Sequence, residues 1–125
     1  MKQEVVNFVT QASSSANKTV VSERIDVPYR IKSIQVILDA AADNTVNIYP
    51  FISFDPEEPT AAAPAGFNFL SEFSQAPYLS GDGQKIRVQL NHIVKETGTY
   101  LKLYITNSAA TTPYILAQIV IEIED

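Results

Sequence analysis

Residues 30–54, RIKSIQVILDAAADNTVNIYPFISF, alternate in character at a period of two on both sides of a short polar turn. Ile34, Val36 and Leu38 alternate with Ser33, Gln35 and Ile37. After DAAADN, Val46, Ile48, Pro50, Ile52 and Phe54 alternate with Asn47, Tyr49, Phe51 and Ser53. Successive side chains of a strand point to opposite faces, so each set occupies one face of a pleated strand. One face is almost wholly apolar and requires burial. A lone pair of strands is unstable in water, so the rest of the chain must close a core over it.

The flanking sequence supplies the strands. Residues 5–11 (VVNFVTQ) set Val6 and Phe8 on one face and Val5 and Val9 on the other. Residues 19–27 (TVVSERIDV) alternate imperfectly, and Glu23 at an inward position predicts an edge strand or a bulge. Pro28 cannot donate to a ladder and ends that strand. Residues 55–66, DPEEPTAAAPAG, hold three prolines and form a loop. Residues 67–79 (FNFLSEFSQAPYL) read as a strand on the alternation of Phe67, Phe69 and Phe73.

The turn Ser80-Gly81-Asp82-Gly83 leads into residues 85–90, where Ile86, Val88 and Leu90 point inward, and residues 91–98 carry the chain to a turn at Gly98. Residues 99–106 (TYLKLYIT) turn Leu101, Leu103 and Ile105 in, and Tyr100, Lys102, Tyr104 and Thr106 out. Residues 114–125 bury Ile115, Ala117, Ile119, Ile121 and Ile123. About eight strands in a single domain spanning residues 1–125 predict an all-β, antiparallel two-sheet sandwich, a single jelly roll. The rival is an immunoglobulin-like sandwich, which would bury the same residues in a different strand order.

Composition excludes several functions. The net charge is −5 and the nine Lys and Arg are scattered, whereas nucleic-acid binding needs a basic stripe to neutralise phosphates. Attraction to an anionic membrane is disfavoured for the same reason. No stretch approaches the ~20 apolar residues of a membrane span, and the N-terminus lacks the apolar run of a signal peptide. The expectation is a soluble protein. With no Cys there is neither a disulfide framework nor a thiolate site.

Catalytic chemistry is not visible. His92 is the sole histidine, and LNHIVKE around it offers no nucleophile or orienting acid. G-x-S-x-G, G-x-x-x-x-G-K-[ST] and G-x-G-x-x-G are all missing. No enzyme activity and no cofactor are expected. Asp55, Glu57 and Glu58 cluster in the Pro-rich loop and are weak candidates for a calcium ion, which takes six to eight oxygens. Asp39 and Asp43 lie at the other end of the intervening strand and cannot join them.

The outward faces are richer in aromatic and apolar residues than a solvated face requires. Tyr100 and Tyr104 flank Lys102, Tyr49 and Phe51 sit between Asn47 and Ser53, and Tyr114, Leu116 and Val120 alternate with Gln118. Three readings follow: cover by loops or the N-terminal segment, an interface with another subunit, or a flat platform for sugar rings.

In architecture and composition the chain resembles the small single jelly-roll proteins of viruses and phages that form capsids, decorate them or build spikes. The resemblance implies a non-enzymatic structural subunit in the virion, homo-oligomeric or docked on other structural subunits. Its partner contacts would fall on residues 55–66 and 107–113, with the N-terminal segment reaching a neighbour. The alternative function is a carbohydrate-binding module, with Tyr, Asn and Gln of a strand face meeting a glycan; the absence of Trp weighs against it.

Overall fold

The structure, a computed structural model, describes residues 2–39, 42, 44–71, 76–81 and 83–123. Eight strands are found among them: β1 (Lys2–Gln11), β2 (Asn17–Val21), β3 (Tyr29–Leu38), β4 (Val46–Ser53), β5 (Phe67–Asn68), β6 (Lys85–Val94), β7 (Tyr100–Asn107) and β8 (Tyr114–Ile123). They form two four-stranded sheets in the orders β1-β8-β3-β6 and β2-β7-β4-β5, every pair antiparallel. The first strand therefore pairs with the last, the second with the seventh, the third with the sixth and the fourth with the fifth. This is a long hairpin rolled over on itself, the jelly roll. The immunoglobulin-like order is excluded, because it would join the first two strands in one sheet.

The core lies between the sheets and follows the period-two reading closely. Ile34, Val36 and Leu38 of β3, Val46 and Ile48 of β4, Leu101, Leu103 and Ile105 of β7, and Ile115, Ala117, Ile119 and Ile121 of β8 are all buried. Ile31 and Ile34 are both wholly buried although three apart, which simple alternation forbids. The ladder slips by one residue between Ile31 and Ser33 against both β6 and β8. That bulge flips the phase of β3 while its neighbours keep theirs.

Pro50 fits inside β4 for a related reason. Ile48 exchanges backbone hydrogen bonds with Leu79, so even-numbered residues of β4 turn their backbone groups away from β7. Pro50 thus costs the β4–β7 ladder no donor.

Several boundaries differ from the sequence reading, among them the start of β1 at Lys2 rather than at residue 5. Phe54 is 65% exposed, because β4 ends at the fully buried Ser53 and the chain leaves the sheet there. The strand expected over 67–79 is two residues long, since Asn68 Oδ1 accepts the Leu70 N–H and its carbonyl accepts Ser71 Oγ, bending the chain into a turn. Phe69 and Leu70 are buried from that turn; Phe73 and the turn residues Asp43 and Asp82 lie outside the described residues. β2 starts at Asn17 and stops at Val21 on the edge of its sheet, with Glu23 exposed and Ile25 bridging to Thr99. β6 runs on to Val94.

Leu103→Ala and Ile119→Ala should each cost about 2–5 kcal/mol in urea unfolding, whereas Val9→Ala on the outside should stay within about 0.5 kcal/mol. Equal costs at buried and exposed sites would contradict this core.

Candidate interaction surfaces

The outer face of the β2-β7-β4-β5 sheet is closed by the chain itself. Register sets Tyr49 opposite Tyr104, Phe51 opposite Lys102, and Thr19 and Val21 of β2 opposite Tyr104 and Lys102. Tyr49 packs on Tyr104 and Tyr78 with ring centroids 5.9 and 5.3 Å away. Over these residues runs the Pro-rich loop. Thr19 Oγ1 donates to the Pro59 carbonyl, and Lys102 Nζ donates to Asp55 Oδ1 at 2.8 Å. Lys102 is completely buried, while the Asp55 side chain is 43% exposed.

An ammonium taken out of water costs several kcal/mol unless it is paired, so Lys102 ties the loop to the sheet. Asp55 also accepts the Glu57 N–H at 2.9 Å. The Lys102 hydrogen bond, then that of Glu57, hold the Asp55 carboxyl below its usual pKa. At the loop's far end Gly66 adopts φ +140°, and a Cβ there would collide with the Ile52 carbonyl. Only glycine lets the chain return this close to β4.

Tyr49, Phe51, Tyr100, Lys102 and Tyr104 all belong to this closed face and are half-buried or buried. Of the three loop acids, Asp55 is committed to Lys102, and Glu57 and Glu58 are exposed. Asp39 Oδ2 accepts the Tyr114 N–H at 2.9 Å, which joins the central turn to the start of β8. Among the described residues no three His, Cys, Asp or Glu side chains gather as a metal site would require.

The outer face of the β1-β8-β3-β6 sheet is open. Tyr114, Leu116 and Val120 lie here, on the opposite side of the sandwich from the other five candidates. Three rows cross the body of the sheet, Val9–Leu116–Ile37–Lys85, Asn7–Gln118–Gln35–Arg87 and Val5–Val120–Ser33–Gln89, and a fourth, Gln3–Glu122–Arg30–Ile93, crosses at its end with opposite charges side by side on β8 and β3. In the middle row Gln35 Nε2 donates to Gln118 Oε1, and Gln118 Nε2 to Asn7 Oδ1, both at 3.1 Å. The flanking rows hold the exposed apolar residues Val9 at 78%, Val5 at 50% and Ile37 at 38%, with Leu116 and Val120 half-buried and Ser33 buried; Tyr114, 66% exposed, lies beyond them opposite Gln11. Alternation had already placed Val5 and Val9 on a common face, and the period of β3 did so for Ile37.

Two grooves border the sandwich. One, of about 630 Å³, separates the start of β1 (Glu4 to Asn7) from the chain between Val21 and Val27, with Val6, Ile25, Ile121 and Ile123 as apolar lining. The other, of about 450 Å³, lies around Tyr29, Arg30, Ile93 and Lys95. Burial pushes the Tyr29 hydroxyl up to a pKa of about 12; it shares a hydrogen bond with Thr99 Oγ1 at 3.2 Å. His92 stacks on Phe67 with centroids 5.3 Å apart, closing the side between β6 and β5.

The loop over residues 107–113 is organised by Asn107. Its Nδ2 donates to the carbonyls of Ser13 and Thr111, and its Oδ1 accepts from Thr45 Oγ1 and the Ala109 N–H. Nothing in the sequence pattern singled this residue out.

The strand order and the two faces define the class as a single eight-stranded jelly roll. No protein-family model and no curated protein matches this sequence. Solved structures do. The cyanophage Pam1 capsid asymmetric unit is similar over 98% of this chain and 85% of that one, at 14% identity and a TM-score of 0.51. The infectious bursal disease virus VP2 subviral particle is similar over 98% of this chain at 14% identity and a TM-score of 0.48; the chain spans 33% of that protein. TmCBM61 in complex with beta-1,4-galactotriose is similar over 96% of this chain and 70% of that one, at 13% identity and a TM-score of 0.45. At such identities the likeness shows the fold alone. No described helix is long and apolar enough to cross a membrane.

The strap over the closed face should be acid-sensitive. A carboxyl whose folded pKa lies below its unfolded value, near 3.8, stabilises above that value and ceases to as pH falls through the folded pKa. The stability gap between wild type and Asp55→Asn in urea should therefore narrow from about pH 5 to about pH 2. At neutral pH, Asp55→Ala should destabilise more than Lys102→Met, because only the former leaves a buried ammonium unpaired.

Proposed function

We propose that the chain is a non-enzymatic structural subunit that assembles with copies of itself, or with other structural subunits, as part of a capsid, decoration or spike of a virion. One observation carries this reading. The chain covers one outer face with its own loop, yet leaves Val5, Val9, Ile37 and Tyr114 exposed on the other, around the half-buried Leu116 and Val120. Monomeric proteins seldom leave contiguous apolar surface bare, and interface cores exclude charge. On this face Lys85 and Arg87 stand on the outermost strand β6, and Arg30 and Glu122 sit opposite one another at one end of the sheet. Fold likeness to a phage capsid chain agrees with the reading without fixing it.

In this reading Tyr114, Leu116 and Val120 meet a neighbouring subunit directly. Tyr49, Phe51, Tyr100, Lys102 and Tyr104 contribute by seating residues 55–66, which with residues 107–113 reach further partners.

Light scattering behind a sizing column, over a roughly hundredfold dilution, tests it against the micromolar affinities of ordinary interfaces. The expected result is a mass several times that of the 13.8 kDa chain. Leu116→Lys should weaken association at least about tenfold while leaving in place the urea midpoint of protein diluted to monomer. A monomer at every concentration would overturn self-assembly and leave only docking on other structural subunits, and glycan binding by that monomer would overturn the proposal.

A further inference from the structure

The four sheet edges of this sandwich are treated unequally. β5 has two residues and β2 has five, so neither offers much to pair with. β6 is ten residues long but carries Lys85 and Arg87, the charges with which natural edges discourage pairing. β1 is equally long, and its outward residues Gln3, Val5, Asn7, Val9 and Gln11 are all uncharged. Its charges sit at the start, where Lys2 Nζ and Glu4 Oε1 lie 3.1 Å apart. It contains no proline, and its ladder with β8 has no bulge.

The backbone of β1 is aimed outward at those same residues. Ala12 N–H donates to the Pro113 carbonyl, continuing the β1–β8 ladder. Antiparallel pairs alternate, so even-numbered residues bond to β8 while Gln3, Val5, Asn7 and Val9 direct N–H and C=O to the open edge. Among the described residues the hydrogen bond found on that edge is Lys18 Nζ to the Gln11 carbonyl, at 3.1 Å. The 630 Å³ groove leaves room beside the first half of the strand.

We infer that β1 pairs edge to edge with β1 of a second copy, antiparallel about a two-fold axis at Asn7. The inference rests on the self-assembling reading above and adds an edge contact to the face contact proposed there. Its support is self-complementarity in that one register. Val5 of each copy faces Val9 of the other, Asn7 faces Asn7, and Val6 faces Phe8. Glu4 stands opposite Thr10 and Lys2 opposite Ala12, so no like charges meet. Shifting the centre by one residue sets Asn7 opposite Val5 or Val9 instead.

In the centred register the amide row Gln35–Gln118–Asn7 continues across the axis into its symmetry mate, and the Val9–Leu116–Ile37 row meets Val5–Val120. A two-fold contact of this kind is isologous, which is the commonest form of protein association.

Cysteine scanning tests the register, because the protein has no cysteine of its own. Asn7→Cys places two thiols across the axis with Cα atoms about 5.5 Å apart, within disulfide reach. Two Val9→Cys copies would lie about 13 Å apart along the strand, out of reach. Mild oxidation should give a covalent dimer of Asn7→Cys and little of Val9→Cys, while Val5→Cys mixed with Val9→Cys should cross-link. Val9→Pro removes a donor aimed only at the open edge, so it should lower the oligomer mass and leave the unfolding midpoint unchanged when both proteins are diluted to monomer. Equal cross-linking of Asn7→Cys and Val9→Cys overturns the register. An oligomer by scattering without an Asn7→Cys dimer overturns the edge pairing and leaves the assembly reading standing. A monomer overturns both.

Discussion

Every strand of this sandwich has to show apolar side chains to the opposing sheet at a period of two, and β3 is the strand where that demand meets its hardest geometry. It lies between β8 and β6 and contributes Tyr29 and Ile31 on one parity and Ile34, Val36 and Leu38 on the other. Without the slip between Ile31 and Ser33, one of these sets would face solvent. The bulge keeps both inside, and it does so in the strand that also links β1–β8 to β6. The apolar rows outside and the core inside share this one adjustment.

The two outer faces then take opposite courses. On one, tyrosines, a threonine and a buried lysine are covered by a loop whose prolines hold it extended and whose Asp55 satisfies the ammonium. On the other, an amide ladder runs between apolar stripes that no described part of the chain overlies. A burial argument applied to the whole molecule explains the first face fully. On the second it accounts for the half-buried Leu116 and Val120 but not for the exposed Val5, Val9, Ile37 and Tyr114.

Much of the core was legible because alternation is a local property. Leu101, Leu103 and Ile105, or Ile115 through Ile121, can be assigned inward from their spacing alone, and they are inward. Strand order was not legible, since spacing fixes a face but no neighbour. The brevity of β5 escaped because Asn68 captures the Leu70 N–H and bends a segment whose phenylalanines alternate as a strand's would. The fate of Lys102 escaped for a different reason: its partner is 47 positions away, and no local pattern tells an outward lysine in water from one under a loop. The open face was read partly, through Tyr114, Leu116 and Val120, while the position of Val5 and Val9 beside them depended on knowing that β1 pairs with β8.

The strap has anchors at Asp55, Thr19–Pro59, the buried Pro64 and the sterically required Gly66, yet Thr60, Ala61, Ala62 and Ala63 between them are exposed. Stability and surface identity are thereby separated within a dozen residues. Those four positions could be rewritten, in length as well as in composition, and the surface they present would change while the scaffold beneath is inherited intact.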